Sequence, residues 1–120
     1  MKKILTIGSA TSDVFINYED AEGLKILSKK ETRSFLLLES GAKLEAKGIH
    51  YYTGGGGTNS AVSFSRLGFD TTTICKIGND NEGKNVIEKL KKEKINIDKF
   101  VIAKSKKTGT SFIIPTLEHD

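Results

Sequence analysis

The chain has 120 residues, 19 Lys and Arg against 15 Asp and Glu, and a net charge of +4. This length supports one hydrophobic core, and 37% hydrophobic residues together with 12 Gly come close enough to globular composition to exclude whole-chain disorder. A single cysteine, Cys75, excludes an internal disulfide, and His50 and His119 lie too far apart for a metal-ligand spacing, so no metal site is expected. No apolar run is long enough for a membrane span or a signal-peptide core, which predicts a cytoplasmic protein without a membrane partner. The densest basic stretch, 104–107, holds three lysines and no aromatic residue, so nucleic acid is not an expected partner.

Ile4 to Ile7 is nearly continuously apolar and runs into Gly8-Ser9, the pattern of a parallel strand buried on both faces. From about Val14 to Thr53 the texture changes to short β-prone pieces at 24–27, 35–39 and 43–52, separated by polar turns. The alternation of Leu44 and Ala46 with charged neighbours predicts one covered and one wet face, and the whole stretch reads as an antiparallel ribbon. Four consecutive glycines, Gly54 to Gly57, must form a loop. Thr58 is the expected cap of the helix that follows, with Ala61, Val62, Phe64 and Leu67 inward and Gly68 as a left-handed stop.

A β-branched strand is expected from Thr71 to Ile77, then a turn at 78–81 and a helix from about Glu82 to Lys94 with Val86, Ile87 and Leu90 inward. A strand at 100–103 completes a βαβ unit. After a polar break, Ser111 to Pro115 resumes as a strand, with a turn beginning at Thr116-Leu117. Cys75 reads as a small buried hydrophobe, His50, Tyr51 and Tyr52 as ribbon packing, Glu88 and Lys92 as a surface pair, and Lys91, Lys92 and Lys94 as a solvated helix face.

The most informative segment is 54–68, GGGGTNSAVSFSRLG, a glycine loop running into a small-residue helix with Asn59 in its first turn. Amides at a helix start attract anionic or hydroxyl-rich ligands, and Asn59 offers both donors and an acceptor. Residues 54–68 resemble the first signature of the ribokinase-like, or PfkB, carbohydrate kinases. Ile7 to Asp13 is similar to that family's opening strand and substrate-binding aspartate, Gly78-Asn79-Asp80-Asn81-Glu82-Gly83 to its Gly-x-Asp-x-x-Gly turn, and Thr108 to Phe112 to the strand returning to its lid.

The resemblance implies a ribokinase-like α/β fold, the N-terminal part of a mostly parallel sheet with flanking helices plus a small antiparallel β-lid. It divides the chain into an α/β core at 1–13 and 54–107 and lid segments at 14–53 and 108–120. It implies transfer of the ATP γ-phosphate to a sugar or nucleoside hydroxyl, with Asp13, Gly55, Gly56 and Asn59 holding the acceptor. The bottom-up chemistry agrees: Asp13 follows the first strand, at the sheet end where open α/β folds bind ligands, and a carboxylate there accepts from two hydroxyls.

The family's catalytic Gly-Ala-Gly-Asp motif has no counterpart in this sequence, so no catalytic residue is assigned and the chain reads as an inactive N-terminal fragment. ATP, Mg²⁺ and a monovalent cation are the implied cofactors, bound mainly elsewhere in the parent. Two departures separate the chain from the ribokinase subgroup, which has asparagine in place of Thr11 and lysine in place of Gly56. With a longer stretch between Asp13 and Gly54, they leave the acceptor open between sugars and nucleosides.

Two alternatives come from other classes. Gly78 to Lys84 has the Gly-x4-Gly-Lys spacing of a P-loop, although Asn85 stands where Mg²⁺ requires Ser or Thr, and Asp80 and Glu82 place negative charge in a phosphate site. The ribbon could instead be a non-catalytic module for homodimer formation, because its apolar face needs cover.

Overall fold

A computed structural model describes residues 2–115 of the chain. It is a mixed α/β fold that divides into two units, Met1–Val14 with Tyr51–Ser111 and Phe15–His50 with Phe112–Asp120. The expected turn at Thr116-Leu117 lies outside the described residues.

In the first unit, β1 (Lys3–Ile7) pairs in parallel with β6 (Asp70–Ile74) in a register running from Lys3 opposite Asp70 to Ile7 opposite Ile74. β7 (Lys76–Gly78) pairs in parallel with β8 (Val101–Ala103). The single strand expected over 71–77 is thus broken at Cys75, where the chain leaves β1 and turns to β8, and the Cys75 carbonyl accepts from the Val101 amide. The α1 helix (Gly56–Arg66) and α2 helix (Asn81–Lys92) supply the apolar cover. Ala10, Ala61, Cys75, Ile77, Val86, Leu90 and Ile95 form the core, with Val62, Ile87, Ile97 and Phe100 packed against it.

The helix-facing side of β1 and β6 is built from threonines. Thr6, Thr71 and Thr73 are buried. Thr6 Oγ1 is hydrogen-bonded to Thr73 Oγ1 at 2.8 Å and donates to the Gly57 carbonyl at 3.0 Å. Such burial is tolerated because every hydroxyl is matched; among the described residues no buried side-chain N or O lacks a partner. The opposite side departs from the expected double burial: Leu5 and Ile7 are 54% and 73% exposed, and Ile102 53%. Nothing among the described residues covers them.

Both helices end in the same backbone motif with different residues. Gly68, at φ 94, donates to Ser65 O, and Phe69 donates to Phe64 O while their rings meet edge to face at 6.0 Å. At the end of α2, Lys94 takes the equivalent left-handed position at φ 61, with Lys94 N on Lys91 O and Ile95 N on Leu90 O. The expected left-handed stop at Gly68 is present. The end of α2 was expected at Lys94 itself and falls two residues earlier, because Ile95 must reach the core beside Leu90.

Glu93 ties the two helix ends together: Arg66 Nε and Nη2 donate to its two carboxylate oxygens at 3.0 and 2.6 Å, Lys89 Nζ lies 3.2 Å away, and Ser65 Oγ donates to its carbonyl. The i,i+4 ion pair of α2 among the described residues is therefore Lys89–Glu93, not Glu88–Lys92.

β2 (Thr11–Asn17), β5 (Gly48–Gly54) and β9 (Gly109–Ile113) hydrogen-bond in the order β5-β2-β9. β2 departs from the sequence expectation, which ended the first strand near Ser9 and placed the next β-prone piece at 24–27. In the second unit, β3 (Glu22–Leu27) and β4 (Thr32–Leu37) form an antiparallel hairpin closed at 28–31. Lys43 to Lys47 is not a strand, and Leu44 is 42% exposed. A local alternation without a pairing partner does not hold an extended chain in a sheet.

Two outcomes follow for stability. Lys94→Gly should raise it by about 1 kcal/mol, the usual cost of a side chain in the left-handed region; thermal melts of the two proteins check this, and an equal or lower midpoint would remove the strain argument. Hydrogen bonds from Arg66 and then Lys89 hold the Glu93 carboxyl down to about 2 from 4.5. Its contribution is complete above pH 4.5 and is lost as the pH falls towards 2. Denaturant titrations across that window should show a shallower stability decline in Arg66→Met than in the parent.

Candidate functional site

The start of α1 is held by a residue from another strand end. Ser9, just beyond β1, accepts through its carbonyl from Gly57 N at 3.0 Å and Thr58 N at 3.3 Å, and through Oγ from Gly56 N at 3.0 Å. Three of the helix's orphan donors are thereby satisfied. Thr58, the expected cap, lies inside the first turn, where its hydroxyl donates back to the Gly54 and Gly55 carbonyls. The helix begins at Gly56, so the four-glycine loop is shorter than its sequence suggests.

The geometry requires glycine at specific points. Gly55 has φ 97, and a Cβ there would strike the Ser9 carbonyl. At Gly57 a Cβ would fall 2.8 Å from both Gly8 C and Cys75 Sγ, so the helix rests directly on the end of β1. Gly56 differs, with nothing within 4 Å of its Cβ position.

Asp13 is the third residue of β2 rather than part of a turn after β1. Thr11 precedes it by two residues, on the same strand face, and donates from Oγ1 to Asp13 Oδ1 at 3.0 Å. The carboxylate lies against Gly54 at the end of β5, where any side chain would collide with it and with Thr11 Oγ1. The structure thus brings together Thr11, Asp13 and the first glycine of the loop. Sequence reasoning treated Thr11 only as a departure from a subgroup pattern; its role as the hydroxyl that fixes Asp13 needed β2 to be recognised.

The remaining candidates fall differently. The Gly56 amide does not stand open to a ligand as expected, because Ser9 Oγ accepts from it. Ser9 was not singled out by the sequence. Asn59 is exposed in the first turn of α1, its backbone N–H donating to Gly55 O. It lines a cleft of about 530 Å³ with Ser12, Tyr51, Thr53, Ser63 and Lys89. Ser12 reaches that cleft from β2, whereas Asp13, the next residue, is not part of its wall.

The resemblance to a P-loop fails on geometry. Asp80 caps α2, its Oδ1 accepting from Gly83 N at 2.8 Å, so a carboxylate occupies the place a phosphate would need. Among the described residues no group of three or more His, Cys, Asp or Glu could hold a metal ion. No helix among the described residues is long and apolar enough to cross a membrane.

The model of the pfkB family of carbohydrate kinases matches residues 1–119. A bifunctional ribokinase/ribose-5-phosphate isomerase A of Fructilactobacillus sanfranciscensis is 31% identical over 113 residues, which are 94% of this chain and 18% of that protein. A carbohydrate kinase from Agrobacterium tumefaciens superposes with a TM-score of 0.74 at 26% identity, covering 100% of this chain and 33% of its own. The fold is also that of a Cryptococcus neoformans ribokinase solved with ADP, with a TM-score of 0.70 at 23% identity, covering 100% of this chain and 32% of that one. The chain therefore spans less than two thirds of the length of each of these relatives. It belongs to the pfkB family of carbohydrate kinases.

Proposed function

We propose that this chain supplies the acceptor-binding part of an ATP-dependent kinase that phosphorylates a hydroxyl of a sugar or nucleoside. The observation that carries the proposal is the Asp13 carboxylate, oriented by Thr11 and set against the glycine at the mouth of the α1 turn. One oxygen accepts from Thr11, which leaves the other free to accept from acceptor hydroxyls. The backbone at Gly55 and Gly56 lets a polyol approach closely, the Ser9 hydroxyl can donate while accepting from Gly56 N, and Asn59 adds an amide. A site of this kind selects by hydroxyl pattern, because an acceptor lacking one leaves a polar group unpaired.

ATP and Mg²⁺ belong in this proposal to a longer parent, and the chain alone is expected to bind without transferring phosphate. The uncovered apolar side of the parallel sheet, with Leu5, Ile7 and Ile102, supports a parent whose further elements pack there. Residues 14–53 and 108–120 are proposed as the lid over the acceptor. In the full-length kinase, Asp13→Ala should weaken acceptor binding by ~1–3 kcal/mol, the cost of an unsatisfied site. Michaelis constants measured across a panel of pentoses, hexoses and nucleosides check this, and values unchanged by the substitution would refute the role.

A second role for the ribbon is favoured by its register. Leu24 faces Phe35, and Glu22 faces Leu37, so Leu24, Ile26, Phe35 and Leu37 share one face and are 49%, 40%, 40% and 46% exposed. We propose that this face pairs with a second copy. Sedimentation over a concentration series should show association that Phe35→Glu abolishes and Leu36→Glu, on the opposite face, leaves intact; equal behaviour of the two variants would argue against it.

A further inference from the structure

Three residues of the 78–83 turn converge on one distant side chain. Thr108 is 5% exposed. Its hydroxyl oxygen accepts from Gly78 N at 2.9 Å and donates to Asp80 Oδ1 at 2.6 Å, while its amide donates to Asp80 Oδ2 at 2.8 Å. The two glycines clear the space: a Cβ on Gly78 would fall 2.7 Å from Thr108 N, and one on Gly83 would fall 2.9 Å from Thr108 Oγ1. The turn is therefore a socket for Thr108. Capping α2 accounts for one bond of Asp80 and leaves the other two unexplained.

The consequence runs on through the chain. Thr108 is followed by Gly109, the first residue of β9, and β9 is hydrogen-bonded to β2. The Cβ position of Gly109 lies 3.4 Å from the Thr11 methyl carbon, and Thr11 holds Asp13. We propose that Asp80 is a positioning residue for the acceptor site: by clasping Thr108 it seats β9 beside Thr11 and so orients the Asp13 carboxylate. The proposal rests on the acceptor-binding reading of Asp13. The Asp80 carboxyl is itself held below the usual carboxylate range, first by the Thr108 hydroxyl and then by the amides of Thr108 and Gly83, as a group acting in its charged form requires.

Asp80→Asn isolates this role. Asparagine caps a helix as well as aspartate and keeps an oxygen for Gly83 N, but its NH₂ confronts the Thr108 amide with a second donor. In a ¹⁵N-labelled 120-residue chain, hydrogen exchange at 108–113 should accelerate at least about tenfold in this variant while amides 85–92 of α2 keep parental protection, and the Thr11 and Asp13 resonances should move. Thr108→Val should reproduce this pattern and Thr108→Ser, which restores the hydroxyl, should abolish it. Unchanged Thr11 and Asp13 resonances in Asp80→Asn, or equal loosening of α2 and β9, would overturn the proposal by reducing Asp80 to a helix cap. Should Asp80→Asn fail to fold, the Thr108 pair decides: a serine variant that moves those resonances, or a valine variant that does not, overturns it equally. Failure of the acceptor reading appears elsewhere, as sugar binding indifferent to Asp13→Ala, and leaves the coupling of Asp80 to Asp13 measurable.

Discussion

The structure depends on how the first turn of α1 is held by Ser9. A helix start leaves donors unmatched, and here one residue at the end of β1 takes three of them, two through its carbonyl and one through its hydroxyl. Those bonds bring α1 onto β1 so closely that Gly57 must lack a side chain. Beneath them Thr6 satisfies the Gly57 carbonyl from the sheet side, backed by its hydrogen bond with Thr73. The glycine turn is therefore rigidly seated, and the ligand chemistry available at it is what Ser9 leaves over.

This changes the meaning of a glycine-rich loop before a helix. Read as sequence, four glycines and a following threonine suggest open amides and a local cap. In the fold the amides of Gly56, Gly57 and Thr58 are already engaged, and the carboxylate that lies against Gly54 comes from β2. The match to the pfkB family extends over both the opening strands and the turn. What distinguishes the site physically is the pairing of a fixed backbone with one oriented carboxylate.

Much of the fold was legible where signals are local. The glycine run, the left-handed Gly68, the amphipathic α2 and the buried Cys75 each follow from properties of a few adjacent residues. The failures share another cause. Lys94 carries no mark of a left-handed position, because it is imposed by Ile95 returning to the core. β2 and the break at Cys75 depend on which strand lies alongside, as does the absence of a strand at Leu44. Of the proposed site, Asp13 and the loop are suggested by their order along the chain, whereas the contacts of Ser9, Thr11 and Thr108 are made with partners 28 to 49 residues away or within a strand not foreseen.

Gly56 stands apart from its three glycine neighbours, since its Cβ direction opens onto empty space while theirs are blocked by backbone or carboxylate. Divergence at this turn is thus confined to a single codon. A lineage can add a side chain there without disturbing the scaffold that its neighbours keep frozen.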